Sequence, residues 1–236
     1  MNNIENTNPN SEASQESAPL NILVVGASHG TGRAVVEKLL NDGHRVTAFS
    51  RSASSLSSIS DQLQTIDGDA TKLDDVENAV ENQDAVVVTL GINENPIRVR
   101  LFGSAHTTGD VRSQGTKNVI KAMHKHGVKR LVVQSTYGMG ETRGLLRFVD
   151  QLFFSLVLKP QIDDTEVQEA LVKNSGLDWT LVRPVHLSDE NSDVLPFVSE
   201  KGEIRKTTVP RRAVAGIHSR ATHEPSFIGK SIAISG

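Results

Sequence analysis

Three glycines close together mark the end of an apolar run: Asn21-Ile22-Leu23-Val24-Val25-Gly26-Ala27-Ser28-His29-Gly30-Thr31-Gly32-Arg33. A helical pattern of Ala34, Val35, Val36, Leu39 and Leu40 follows at once. The order is strand, glycine-rich turn, helix, which is the local structure that holds a dinucleotide pyrophosphate. Gly26 lets the chain turn off the strand, Gly30 clears the backbone for a phosphate, and Gly32 lets the helix approach the sheet. Ser28, His29 and Thr31 complete the turn, and the unpaired N–H groups of the helix start face the negative charge. A second cluster closes the next apolar run, where Phe49 is followed by Ser50, Arg51 and Ser52. An Asp or Glu at this place would accept from a ribose 2′-hydroxyl; a cation flanked by hydroxyls suits a 2′-phosphate instead. The pattern therefore predicts NADP(H), the plain alternative being a structural turn followed by a solvent-facing Arg51.

Other reactive groups stand further along. Ser135 and Thr136 end an apolar run, at the carboxyl end of a strand, where open α/β sheets bind ligands. His186 follows Pro184 and Val185 and serves either as a binder or proton donor or as a cap on the strand end. Tyr137 is followed four places on by Glu141, so no neighbouring lysine lowers the phenol from its usual pKa of about 10. Arg98 and Arg100 read as a solvated loop face in preference to a substrate clamp, and His106 stands in the same segment. His124, His126, His218 and His223 form no metal-ligand pattern and are expected at the surface. Asp163 and Asp164 are expected to begin a helix as a capping pair, and Arg212 to be structural.

These residues need a frame. Apolar runs at 21–25, 44–51, 64–66, 84–91, 130–136, 179–183 and 231–234 alternate with helical patterns at 71–80, 111–126, 163–174 and 211–220. Strands alternating with helices predict an α/β fold, a doubly wound parallel sheet with helices on both faces. Thr71 is a candidate N-cap, and Pro184 is expected to halt its strand. The chain has 236 residues, 25 Lys and Arg against 28 Asp and Glu, a net charge of −3 and no cysteine. That fits one domain over residues 20–236, offers nothing to nucleic acid, and excludes disulfides, thiolate metal sites and cysteine nucleophiles. No apolar run reaches the length of an integral membrane segment. Residues 1–19 are polar and lack a secretion pattern, which predicts a disordered tail on a cytoplasmic protein. The apolar segment 144–158 reads as buried, with a lid, a dimer surface or a membrane-surface helix as alternatives.

Taken together, the glycine-rich turn, Arg51, Gly68-Asp69, the run from Asp84 to Gly91, Ser113-Gln114-Gly115-Thr116-Lys117-Asn118, Asp163-Asp164, Ser175-Gly176-Leu177-Asp178-Trp179-Thr180 and Arg183-Pro184-Val185-His186 resemble the atypical short-chain dehydrogenase/reductases. The likeness is to NADPH-dependent flavin reductases, also called biliverdin reductase B, and more loosely to NmrA-like proteins. It implies a Rossmann-like fold, with Ser28 to Thr31 around the pyrophosphate and Arg51 on the 2′-phosphate. It further implies Asp69 and Ala70 beside the adenine, Leu90 and Gly91 along the ribose and nicotinamide, and Pro184, Val185 and Leu187 flanking the nicotinamide. Ser135 or Thr136 takes the place of an active-site hydroxyl, and His186 matches a histidine near the substrate. The chain departs from that pattern at His29, where relatives commonly have Gly, and in the longer segment 92–108. The expected activity is hydride transfer to a flavin or another planar conjugated acceptor, such as a quinone or tetrapyrrole, by a monomer or homodimer. Such acceptors take hydride at carbon and a proton from solvent, which suits a chain without the Tyr-Lys pair. An NADP(H)-binding redox sensor and a specialised reductase or isomerase are the other readings of the same fold.

Overall fold

The computed structural model describes residues 18–91, 108–145, 159–190 and 195–236. The predicted tail, apart from residues 18 and 19, lies outside them, as do Arg98, Arg100 and His106 and all of the apolar segment beyond Leu145. A sheet of eight strands forms the centre. Its first strands are β1 (Asn21–Val25), β2 (Arg45–Ser50), β3 (Leu63–Asp67) and β4 (Ala85–Val88). It continues with β5 (Arg130–Gln134), β6 (Asp178–Pro184), β8 (Phe197–Ser199) and β10 (Lys230–Ser235), in the spatial order β3-β2-β1-β4-β5-β6-β10-β8. All pairings are parallel except β10 with β8. A separate parallel pair, β7 (His186–Ser188) and β9 (Thr208–Pro210), lies beside it. The chain returns to the middle of the sheet between β3 and β4, and the crevice at the carboxyl ends of β1 and β4 is the place where such sheets bind ligands.

The strand sequences explain why both faces are covered. Successive residues point to opposite faces, and in β1 both sets are apolar: Ile22 and Val24 join one core, Leu23 and Val25 the other. The first core is closed by α1 (Gly30–Asn41) and α5 (Arg211–His223), through Val35, Val36 and Leu39 and through Val214, Ala215 and Ile217. The second is closed by α2 (Leu73–Val80) and α3 (Val111–His126), with α4 (Lys159–Lys173) packed on α3. No helix among the described residues is long and apolar enough to cross a membrane.

Pro184 halts β6 as expected, as its last residue, in register with Ile234; its carbonyl accepts the Tyr137 N–H at 2.9 Å, and the missing N–H falls where pairing stops. Three local expectations are corrected. Thr71 does not cap α2, whose N-cap is Lys72; the Thr71 hydroxyl donates to Asp69 at 2.8 Å. Asp163 and Asp164 do not begin α4, which starts at Lys159. Asp164 instead accepts the backbone N–H groups of Arg112 and Ser113, at 3.0 and 3.1 Å, and so caps α3 from a neighbouring helix. His218 is fully buried, because it lies four residues after Val214 on the stripe that α5 turns to the sheet.

Candidate dinucleotide site

The glycine-rich turn is held by contacts that admit no side chain. Gly26 has φ +87°, and its N–H donates to the Phe49 carbonyl at 2.9 Å, tying the turn to the end of β2. A Cβ on Gly32 would stand 2.1 Å from the Gly26 carbonyl oxygen and 2.6 Å from Thr89 Oγ1. Helix α1 therefore meets the backbone at the end of β1 and the Thr89 side chain that follows β4 in direct contact. The Thr89 hydroxyl donates to the Val25 and Gly26 carbonyls at 3.0 and 3.3 Å and fixes the turn against β4. Helix α1 begins at Gly30 with no acidic residue in its first turn, so its unpaired N–H groups keep their attraction for an anion.

Around this turn opens a cleft of about 370 Å³. At the β2 end, the hydroxyls of Ser28 and Ser50 are 2.7 Å apart, the Ser52 hydroxyl donates to Ser28 at 3.3 Å, and Arg51 lies between the two β2-end serines in sequence. Arg51 also faces Asp69. Burial alone would raise the Asp69 carboxyl, but donors from Thr71 N and Oγ1 and the charges of Lys72 and Arg51 outweigh it and hold the group below its ordinary value. The opposite wall carries Thr89, Leu90, Gly91, Gln134, Leu187 and Arg211. The Gln134 amide oxygen is buried and has no hydrogen-bond partner among the described residues.

Of the residues singled out from the sequence, Gly26, Ser28, His29, Gly30, Thr31, Arg51, Asp69, Ala70, Leu90, Gly91 and Leu187 line this one cleft. Gly32 lies beneath it, in the helix contact just described. Pro184 and Val185 are buried and do not line it; the Val185 N–H donates to the Ile234 carbonyl at 3.0 Å. Ser135 is also buried away from it, since its hydroxyl donates to Glu169 Oε1 at 2.6 Å. Glu169 in turn binds Arg183, at 2.8 and 2.6 Å, and Arg183 reaches Glu141, at 2.6 Å. Thr136, half-buried, and His186, exposed, are not among the lining residues either. Tyr137 is turned inward: its hydroxyl donates to the Gly202 carbonyl at 3.0 Å, and burial pushes its pKa up.

Sequence reasoning passed over Phe49, Gly68, Thr71, Thr108, Val111, Gln134 and Arg211 as lining residues and took Thr89 only as part of an apolar run, whereas Ser50 and Ser52, expected beside the 2′-phosphate, do line the cleft. For Gln134 the signal was present: it precedes Ser135 at the carboxyl end of a parallel strand. For Arg211 there was none, because about 180 residues separate it from Gly30. Among the described residues no group of three His, Asp or Glu side chains is placed to hold a metal ion.

The donor set fits a dinucleotide: a turn too tight for side chains, an acid-free helix start, a cation among hydroxyls, and an unpartnered amide oxygen in the wall. Comparison with known proteins agrees. The chain is 33% identical over 122 residues to a 3β-hydroxysteroid dehydrogenase/Δ5→4-isomerase of Mycobacterium tuberculosis, which covers 49% of this chain but only 31% of that protein. Among solved structures, a Rossmann-fold NAD(P)-binding family protein from Shigella flexneri is 26% identical, covers 91% of this chain and 92% of its own, and superposes with a TM-score of 0.66. An anaerobilin reductase from Escherichia coli shares the fold at 20% identity, covering 91% of this chain and 96% of its own, with a TM-score of 0.71. The model of the NAD(P)H-binding family matches residues 26–225, and the chain belongs to that family.

Proposed function

We propose that this chain is an NADPH-dependent reductase whose acceptor is a flavin or another planar conjugated molecule, such as a quinone or tetrapyrrole. The observation that carries the reading is the group at the end of β2, where Arg51 and the hydroxyls of Ser28, Ser50 and Ser52 stand in place of a carboxylate. A carboxylate there would repel a 2′-phosphate; a guanidinium with seryl donors binds it. When bound, NADPH supplies the hydride.

The chain's own residues bind, orient and exclude water. The N–H groups at the start of α1 take the pyrophosphate, and Asp69 and Ala70 border the adenine. Leu90, Gly91 and Leu187 wall the nicotinamide end, with Pro184 and Val185 supporting that wall from behind. Gln134 offers its unpartnered amide oxygen to an N–H, either of the carboxamide or of the acceptor. Thr136 and His186, which do not line the cleft itself, would hold the part of an acceptor that extends beyond it, and Ser135 positions the β5 end through Glu169. The inward Tyr137, a weaker acid than an ordinary phenol, is badly placed to protonate a ketone oxygen. That favours acceptors whose second proton comes from solvent. The fold shared with an anaerobilin reductase is consistent with a tetrapyrrole among them, as an analogy of fold.

The test is the loss of reduced-nicotinamide absorbance with FMN, riboflavin, a quinone, biliverdin and a simple ketone. Turnover with a conjugated acceptor and none with the ketone is expected, and Arg51→Ala should weaken NADPH about tenfold or more while NADH changes about twofold or less. Tight NADPH binding with no oxidation across the panel would overturn the reductase reading in favour of a sensor.

A further inference from the structure

Arg211 is the first residue of α5, and it reaches the glycine-rich turn across space. A Cβ on Gly30 would lie 3.6 Å from its Nε, and the guanidinium lines the cleft together with Ser28, Gly30, Thr31 and Leu187. Its side chain is 27% exposed and its Nη1 is paired with Asp189, which is 88% exposed. Two sources of positive potential thus converge on one spot: this guanidinium and the acid-free start of α1. The counter-charge between them comes from a loop carboxylate in solvent, and such a pair is weak. A doubly charged pyrophosphate on the N–H groups at the start of α1, beside Arg211, satisfies both sources, and the planar fork of Arg matches two phosphate oxygens at once.

We propose that Arg211 is a clamp on the pyrophosphate of the dinucleotide, and that Asp189 is the latch that holds the clamp until the ligand displaces it. The inference rests on the dinucleotide reading above and assigns the pyrophosphate a side chain distinct from Arg51, which serves the 2′-phosphate. Only binding and an exchange of ion-pair partner are involved, so the consequence is read in affinity.

Calorimetric titration separates the two ends of the site with three probes: NADP+, ADP-ribose, which has the pyrophosphate and no 2′-phosphate, and 2′-AMP, which has only the 2′-phosphate. Arg211→Ala should weaken NADP+ and ADP-ribose about tenfold or more and move 2′-AMP about twofold or less. Arg51→Ala should do the reverse, costing NADP+ and 2′-AMP and sparing ADP-ribose. Asp189→Asn removes the competing carboxylate and should tighten both pyrophosphate probes about two- to fivefold. Arg211→Lys keeps the charge without the fork and should fall between wild type and Ala. Unchanged ADP-ribose affinity in the Arg211 variants, or an equal loss of 2′-AMP, overturns the clamp. Should Arg211→Ala not fold, Arg211→Lys and Asp189→Asn decide, and unaltered affinities in both overturn it. A wild-type chain that binds none of the probes overturns the dinucleotide reading and the clamp with it. A wild-type chain that binds all three while the Arg211 variants behave alike overturns the clamp alone.

Discussion

The Ser135 hydroxyl shows how a single atom can be claimed by the core instead of the cleft. It donates to Glu169, whose two oxygens also hold a nearly fully buried Arg183, so it satisfies a lone pair that would otherwise be stranded beside a buried charge. Ser135→Ala should therefore cost about 1–3 kcal/mol of stability, read by urea denaturation, and leave the affinity for 2′-AMP unchanged. Gln134, one residue earlier, has the opposite fate, because alternation along β5 turns it out of the Ser135 environment and into the cleft wall. Sequence alone names both residues as ends of a strand; it does not say which of the two faces the ligand. That depends on register, and the register is fixed by Arg130 standing opposite Ala85 and Asp178 in the neighbouring strands.

Among the elements, α3 depends on a partner distant in sequence. Its N-cap position, Asp110, makes no side-chain cap, and the orphan N–H groups of Arg112 and Ser113 are taken by Asp164 of α4. Asp164→Ala should remove both acceptors and the favourable charge at the helix start, lowering stability by about 1–2 kcal/mol in denaturant titration, with Asp164→Asn recovering part of the loss. Helix α3, expected at about residues 111–126, spans Val111–His126 and stops at Gly127 in the left-handed conformation. The strands were legible from runs such as Ala85 to Val88, whose continuity only a doubly covered sheet explains. The short strands were not: β7, β8 and β9 have three residues each, too few to show a period, and β8 is antiparallel, which no local pattern encodes. The cap on α3 was equally hidden, since the Asp164 side chain was read on its own helix.

Across the whole molecule, the helix layer over one face of the sheet contains an ionisable group with no counterpart. His218 is fully buried in α5, neither ring nitrogen has a partner among the described residues, and burial lowers its pKa to about 3, from 6.5. Between those values the unfolded chain binds a proton that the folded chain refuses, so stability falls as pH drops from 6.5 towards 3, at up to about 1.4 kcal/mol per unit. His44, buried and lowered first by desolvation and then by His223, acts in the same direction. The depressed carboxyls of Asp69 and Glu141 contribute above the ordinary carboxylate range and lose that contribution only as the pH falls below it, so the interval from pH 7 to 5 isolates the histidines. Urea titrations at those two pH values should show a loss that shrinks by about 2 kcal/mol in His218→Leu, which also removes an unpartnered polar group.

The small β7–β9 pair has a consequence in time. Strands β1 and β4, interlocked at Gly26, Gly32 and Thr89, can expose their amides to hydrogen exchange only when the entire sheet comes apart. The pair holding Leu187 has three short rungs with His186 and Thr208 in solvent, and it opens by itself at a far lower free energy. One side of the cleft therefore exchanges on the clock of global unfolding and the other on a local clock. A ligand bridging the two slows the local clock and leaves the global side almost unmoved, so the amide of His186, which donates to the Thr207 carbonyl, reports occupancy long before those of Val24 or Val87 do.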